Sequence, residues 1–149
     1  MSQRRNQFGN PFISFLLRSP LHGLMSTSML LITVTGRKSG QVFTTPVNYI
    51  RMGDELLIVS LADRSWWKNL RGGAAVTVRL QGRDMIGRGL AIEDQAEVAK
   101  SLIGLLKAAP QYQKYLGVSL APDGQPLDPA ALAKAAQTRV MVKITGLPA

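Results

Sequence analysis

The sequence predicts a mainly β domain with flanking helices (α+β), built around a small antiparallel barrel. Three observations predict it. Between Met29 and Glu93, short runs rich in β-branched and aromatic residues alternate with tight turns built on glycine and aspartate. One helix-like stretch, around Trp66 and Trp67, interrupts those runs. After Glu93 the pattern becomes helical, and only Thr138 to Thr145 returns to strict alternation. The length of 149 residues fits a single domain over residues 1–149, with a helical N-terminal segment over residues 1–25.

In chain order, Asn10-Pro11 reads as a helix start, with Asn as cap and Pro at the first helical position. The following turns place Phe12, Phe15 and Leu16 on one side, flanked by Arg4, Arg5 and Arg18. Such a segment either packs on the body of the protein or lies on an anionic membrane surface. Met29 to Val34 is the first strand and Val42 to Ile50 the second, joined by Thr35-Gly36-Arg37-Lys38-Ser39-Gly40. Glu55 to Leu61 is the third. Asp63 or Ser65 caps a short helix through the two tryptophans, and Gly72-Gly73 ends it. Ala75 to Gln81 and Met85 to Glu93 are the fourth and fifth strands. Asp94 to Leu116 carries the apolar stripe Val98, Leu102, Leu105, Leu106, and Pro110 kinks or divides it. Pro129 to Gln137 is an alanine-rich helix, and Thr138 to Thr145 closes the barrel.

Composition removes several chemistries. There is no cysteine, so disulfides, thiolate nucleophiles and cysteine metal sites are out, and a reducing, cytoplasmic compartment is the expectation. The single histidine, His22, excludes a histidine-cluster metal site, and no metal is expected. Carboxylates are few and scattered, which disfavours paired-carboxylate hydrolysis. No secretory signal is evident, and no apolar run approaches the roughly 20 residues that span a bilayer. The formal charge of +9 points to anionic partners. A non-enzymatic basic module is one reading of that charge. The basic residues are spread along the chain and aromatics are few, so a nucleic-acid partner is not expected.

What remains is an anion-binding turn, an aromatic wall and phenols. Gly36 and Gly40 let the backbone turn tightly, Arg37 forks onto a phosphate or carboxylate, Lys38 adds charge, and Ser39 and the turn amides donate hydrogen bonds. The same six residues also suit a plain solvated hairpin tip. Trp66 and Trp67 point about 100° apart on a helix, so one faces a cavity while the other packs inside, or both are core. Tyr112 and Tyr115 lie three apart and present two phenols to one site, or end an amphipathic helix. A chain so poor in reactive groups of its own borrows a cofactor, and a phosphorylated aromatic one would use both the turn and the tryptophans.

Taken together, Thr35-Gly36-Arg37-Lys38-Ser39-Gly40, Thr45-Pro46, Ser60 and Trp66-Trp67-Lys68-Asn69-Leu70 resemble the deazaflavin-dependent nitroreductase family of actinobacteria and their relatives. The resemblance implies a split β-barrel of the FMN-binding type, antiparallel strands with flanking helices, and the coenzyme F420 as cofactor, with FMN as the alternative among related barrels. It places Arg37, Lys38, Ser39 and Gly40 at the phosphate, Pro46, Ser60, Trp66 and Asn69 around the deazaflavin ring, and Tyr112 and Tyr115 beside the acceptor as catalytic residues. It implies hydride transfer to a small-molecule acceptor such as a quinone or nitro compound. It also implies membrane contact through the N-terminal segment, peripheral to the inner face, and leaves a homodimer open. Two departures stand out: Phe43 replaces a basic residue, and the loop from Leu61 to Arg64 is short and lacks the lysine that follows Ser60's position in relatives.

Overall fold

The computed structural model describes residues 29–148. The expected helix at Asn10, the apolar patch from Phe12 to Leu17, and His22 lie outside the described residues. Strands β1 (Met29–Thr35) and β2 (Val42–Asn48) form a hairpin, followed by β3 (Ile50–Met52) and β4 (Glu55–Leu61). A 3-10 turn (Trp66–Leu70) leads to β5 (Ala74–Leu80) and β6 (Arg83–Ile92). Helices α1 (Gln95–Ala108), α2 (Tyr112–Leu116) and α3 (Pro129–Gln137) precede the last strand, β7 (Arg139–Thr145).

All seven strands belong to one antiparallel sheet in the spatial order β2-β1-β5-β6-β7-β4-β3. Its two edge strands, β2 and β3, are separated along the chain by Tyr49 alone. Laid flat, such a sheet would hold its edges about 29 Å apart, whereas two Cα steps reach only about 7 Å. The sheet therefore curls until its edges meet, giving a split barrel. Here the structure differs from the sequence reading, which carries Val42 to Ile50 as one strand. Tyr49 turns into the core, 6% exposed, and the chain crosses there from one edge to the other.

The strands alternate as a curled sheet requires. Leu30, Ile32 and Val34 of β1, Leu56 and Ile58 of β4, and Val140, Val142 and Ile144 of β7 fill the barrel. Trp67 and Leu70 of the 3-10 turn join the same cluster. On the outer face of β4 and β7, Leu57 and Met141 pack against Leu102, Leu105 and Leu106 of α1 and Leu132 and Ala136 of α3. Asp94 caps α1, its carboxylate accepting the Glu97 N–H at 3.1 Å. Asp128 caps α3 with Pro129 behind it, accepting the Ala130 N–H at 3.0 Å. Pro110 divides the long helical stretch into α1 and α2.

Candidate functional site

The split of the barrel makes the site. β3 pairs with β4 from Glu55 to Leu57, so the rest of β4 runs back along β2 without ladder bonds to it. A cavity of about 380 Å³ occupies this slit, within the usual range for small-ligand pockets. Pro46 and Asn48 of β2 form one wall, Val59 and Ser60 of β4 the other, and Leu105 of α1 contributes an apolar patch. Trp66, Tyr112 and Tyr115 line it as well, and Arg64 brings its one charged side chain. Ser60 is the one buried polar residue among the described residues, 6% exposed, and its hydroxyl donates to the Leu61 carbonyl at 3.1 Å.

Adjacent to this cavity is a groove of about 440 Å³ lined by Gly36, Arg37, Lys38, Ser39, Lys68 and Asn69, with Phe43 and Arg71. The turn that supplies it is closed by its own backbone. Gly36 N–H donates to the Gln41 carbonyl at 2.7 Å, and Gly40 N–H to the Gly36 carbonyl at 2.9 Å. Ser39 Oγ accepts the Gln41 N–H at 3.1 Å, which leaves its own proton free to donate. A Cβ on Gly36 would lie 2.8 Å from that Oγ and 3.1 Å from the Phe43 ring. Glycine is thus required for the turn to fold onto Phe43, which gives the groove an apolar floor. Gly40 adopts φ 71°, the left-handed conformation that glycine enters without strain. It lines neither space and acts by shaping the turn.

The two tryptophans divide. Trp66 lines the cavity. Trp67 is 3% exposed in the core, with the Arg71 guanidinium 5.1 Å and the Lys68 ammonium 6.0 Å from its ring centroid. Arg71 is also paired with Glu93 through two hydrogen bonds of 2.9 and 3.1 Å. Arg37, Lys38, Arg64 and Lys68 form no ion pair among the described residues.

Asn69 joins the cavity to the groove. Its Oδ1 accepts the Arg37 N–H at 3.1 Å, and its Nδ2 donates to the Trp66 carbonyl at 3.1 Å. It lies in the cationic groove, not in the lining of the ring cavity. Of the other sequence-nominated residues, Pro46, Ser60, Trp66, Tyr112 and Tyr115 are brought together in the cavity, and Arg37, Lys38 and Ser39 in the groove. Sequence reasoning missed Asn48, Val59 and Leu105 as lining residues. The first two lack any local signal, and Leu105 is visible only as one member of an apolar stripe.

Tyr112 and Tyr115 meet edge to face, centroids 6.3 Å apart at 80°. Burial, and then the neighbouring Tyr115, raises the Tyr112 phenol above its ordinary pKa. Near neutrality it is a protonated donor. No carboxylate lines the cavity or the groove. The donor set therefore fits a ligand with a flat ring system and an anionic tail.

A family model described as F420H(2)-dependent quinone reductase matches residues 20–118. The chain belongs to that family. Membership in the quinone reductase family supports an F420-dependent oxidoreductase, and the cavity and groove fit a deazaflavin with a charged tail. Among solved structures, a domain-swapped dimer is 16% identical with a TM-score of 0.53, covering 96% of this chain and 97% of its own. A FAD-binding protein from Mesorhizobium loti is 17% identical with a TM-score of 0.50, covering 85% of this chain and 88% of its own. An F420 reductase is 16% identical with a TM-score of 0.46, covering 91% of this chain and 93% of its own. At these identities the first two likenesses establish the split-barrel fold. Among the described residues no helix is long and apolar enough to cross a membrane.

Proposed function

We propose that the protein binds coenzyme F420 across the cavity and the groove and reduces a small electrophilic acceptor, a quinone or nitro compound. The observation that carries this reading is the Asn69 brace, which ties the cationic turn to the tryptophan turn and so makes one binding surface of two. In this reading Arg37, Lys38, Ser39 and Lys68 hold the anionic tail. Pro46, Ser60 and Trp66 confine the ring in the slit, with Trp66 as a stacking surface. Bound in its reduced form, the deazaflavin supplies a hydride. Tyr112 then donates a hydrogen bond or a proton to the acceptor oxygen on which negative charge develops, and Tyr115 lies beside it. The slit fixes the distance and angle of approach and excludes bulk water.

Trp66 lines the cavity and Trp67, its neighbour in the core, is the only other tryptophan, so tryptophan fluorescence reports on the site. Titration with F420 is expected to quench saturably, and FMN to quench weakly or not at all. The reduced coenzyme should then be oxidised on adding menadione or a nitroaromatic. Tyr112→Phe should lower kcat by about tenfold or more with little change in cofactor affinity. Quenching by FMN alone would move the protein to the flavin-binding branch. Quenching by neither would overturn the reading.

A further inference from the structure

Arg139 stands at the first position of β7, opposite Leu61 of β4, and Leu61 lines the rim of the ring cavity. It lies beyond residues 20–118, the segment that the family model matches. Its guanidinium carbon is 5.8 Å from the centroid of the Tyr115 ring. Its Nη1 donates to Thr138 Oγ1 at 3.0 Å, and the Thr138 hydroxyl also lies 3.3 Å from the carbonyls of Lys134 and Ala135 in the last turn of α3. The cation is thus anchored at the negative end of a helix. No acidic side chain pairs with it among the described residues, and its Nε is buried without an acceptor. A donor left unsatisfied costs free energy, and the ring contact, beside the Thr138 hydrogen bond, offsets it.

Tyr115 needs such a partner. It is 61% exposed, sits on the five-residue α2 and belongs to neither apolar cluster. Its ring touches two flat groups, the edge-to-face Tyr112 and the Arg139 guanidinium. Without one of them, an exposed phenol on so short a helix samples several rotamers.

We propose that Arg139 is a positioning residue for the acceptor. It holds the Tyr115 ring at the mouth of the cavity, so that the phenol is fixed where it can donate to the acceptor. The cavity thereby favours acceptors whose oxygen gains negative charge on reduction. This rests on the function proposed above.

The test has one arm that needs no cofactor. The chain has three tyrosines, so ring resonances of tyrosine-labelled protein are assignable by single Tyr→Phe variants. In Arg139→Gln, the Tyr115 ring signals should move and average, while those of Tyr49 stay in place. The second arm is kinetic. Arg139→Gln should raise the acceptor KM about fivefold, the scale of a partly exposed cation–π contact, with F420 affinity by tryptophan quenching unchanged. Arg139→Lys should restore part of the loss. In a Tyr115→Leu background, Arg139→Gln should change the acceptor KM by less than about twofold, because coupled residues are not additive. Unmoved Tyr115 signals, or a KM effect that persists in full without Tyr115, would overturn the inference. A wild-type protein that binds no deazaflavin overturns the functional reading and the acceptor half of this inference with it. The ring signals then still decide whether Arg139 holds Tyr115.

Discussion

Both ends of the Asn69 side chain are engaged by backbone groups, one on each side of the site. Its removal should therefore loosen a geometry and leave the charges in place. Asn69→Ala is expected to weaken F420 binding about tenfold, equivalent to ~1.4 kcal/mol, while the free energy of urea unfolding falls by the ~1 kcal/mol of two partly exposed hydrogen bonds. An unchanged quenching titration would remove the brace from the account. Tyr49 and Tyr112 make a second prediction. Burial raises both phenols above the ordinary tyrosine value, with Arg51 opposing the shift at Tyr49. The folded state therefore binds these protons more tightly than the unfolded chain. Their contribution to stability is fully present below about pH 10 and is lost as pH rises toward the raised folded-state values. Urea midpoints should fall across that alkaline window, and less steeply in Tyr112→Phe. A Tyr112→Phe variant with the wild-type alkaline slope would contradict the assignment.

α1 has two duties on one face. Leu102 and Leu105 are both fully buried in the outer cluster, but only Leu105 also lines the cavity. Either Leu→Ala change should cost about 2–5 kcal/mol in urea unfolding. Only Leu105→Ala should also alter the affinity for F420 or the acceptor, and equal ligand binding in the two variants would detach α1 from the site. Much at this level was legible in the sequence. The stripe Val98, Leu102, Leu105, Leu106 points to α1, Pro110 to its kink or end, and the adjacent tryptophans to either one outward and one inward ring or two core rings, of which the structure has the first. Asn69 was nominated for the ring, but its partner, Arg37, is 32 residues away in sequence. The break at Tyr49 is hidden because Val47, Tyr49 and Ile50 continue the β composition, and Asn48 alone, without glycine or proline, is a weak turn signal. Such a break is decided by where the strands pair, and pairing is a long-range property.

The protein carries 18 basic and 9 acidic residues. The described residues hold three ion pairs, and Arg37, Lys38 and Lys68 are in none of them. A basic body with free cations gathered at one groove attracts an anionic ligand over roughly the 8–10 Å that physiological salt allows. Replacing Arg37 and Lys38 together with Gln should weaken F420 binding about tenfold or more at low ionic strength, with the gap narrowing as salt is added. Equal salt dependence in the variant and the parent would place the tail elsewhere. The excess charge was plain from composition, and so was its likeness to that of a nucleic-acid binder. The folded chain gathers four of the cations in one groove beside an aromatic slit.

The one-residue passage at Tyr49 gives the slit a built-in ruler. Where β2 hands over to β3, the gap between the barrel's lips is measured in peptide units and is indifferent to which side chains pack there. Point substitutions along the walls can change the cavity's chemistry while this end keeps its width. A change of width would come by insertion, each added residue releasing up to about 3.3–3.6 Å. Chain length at this junction is thus a separate inheritance from the pocket's composition, and related barrels that admit bulkier rings should differ here first in count and only second in kind.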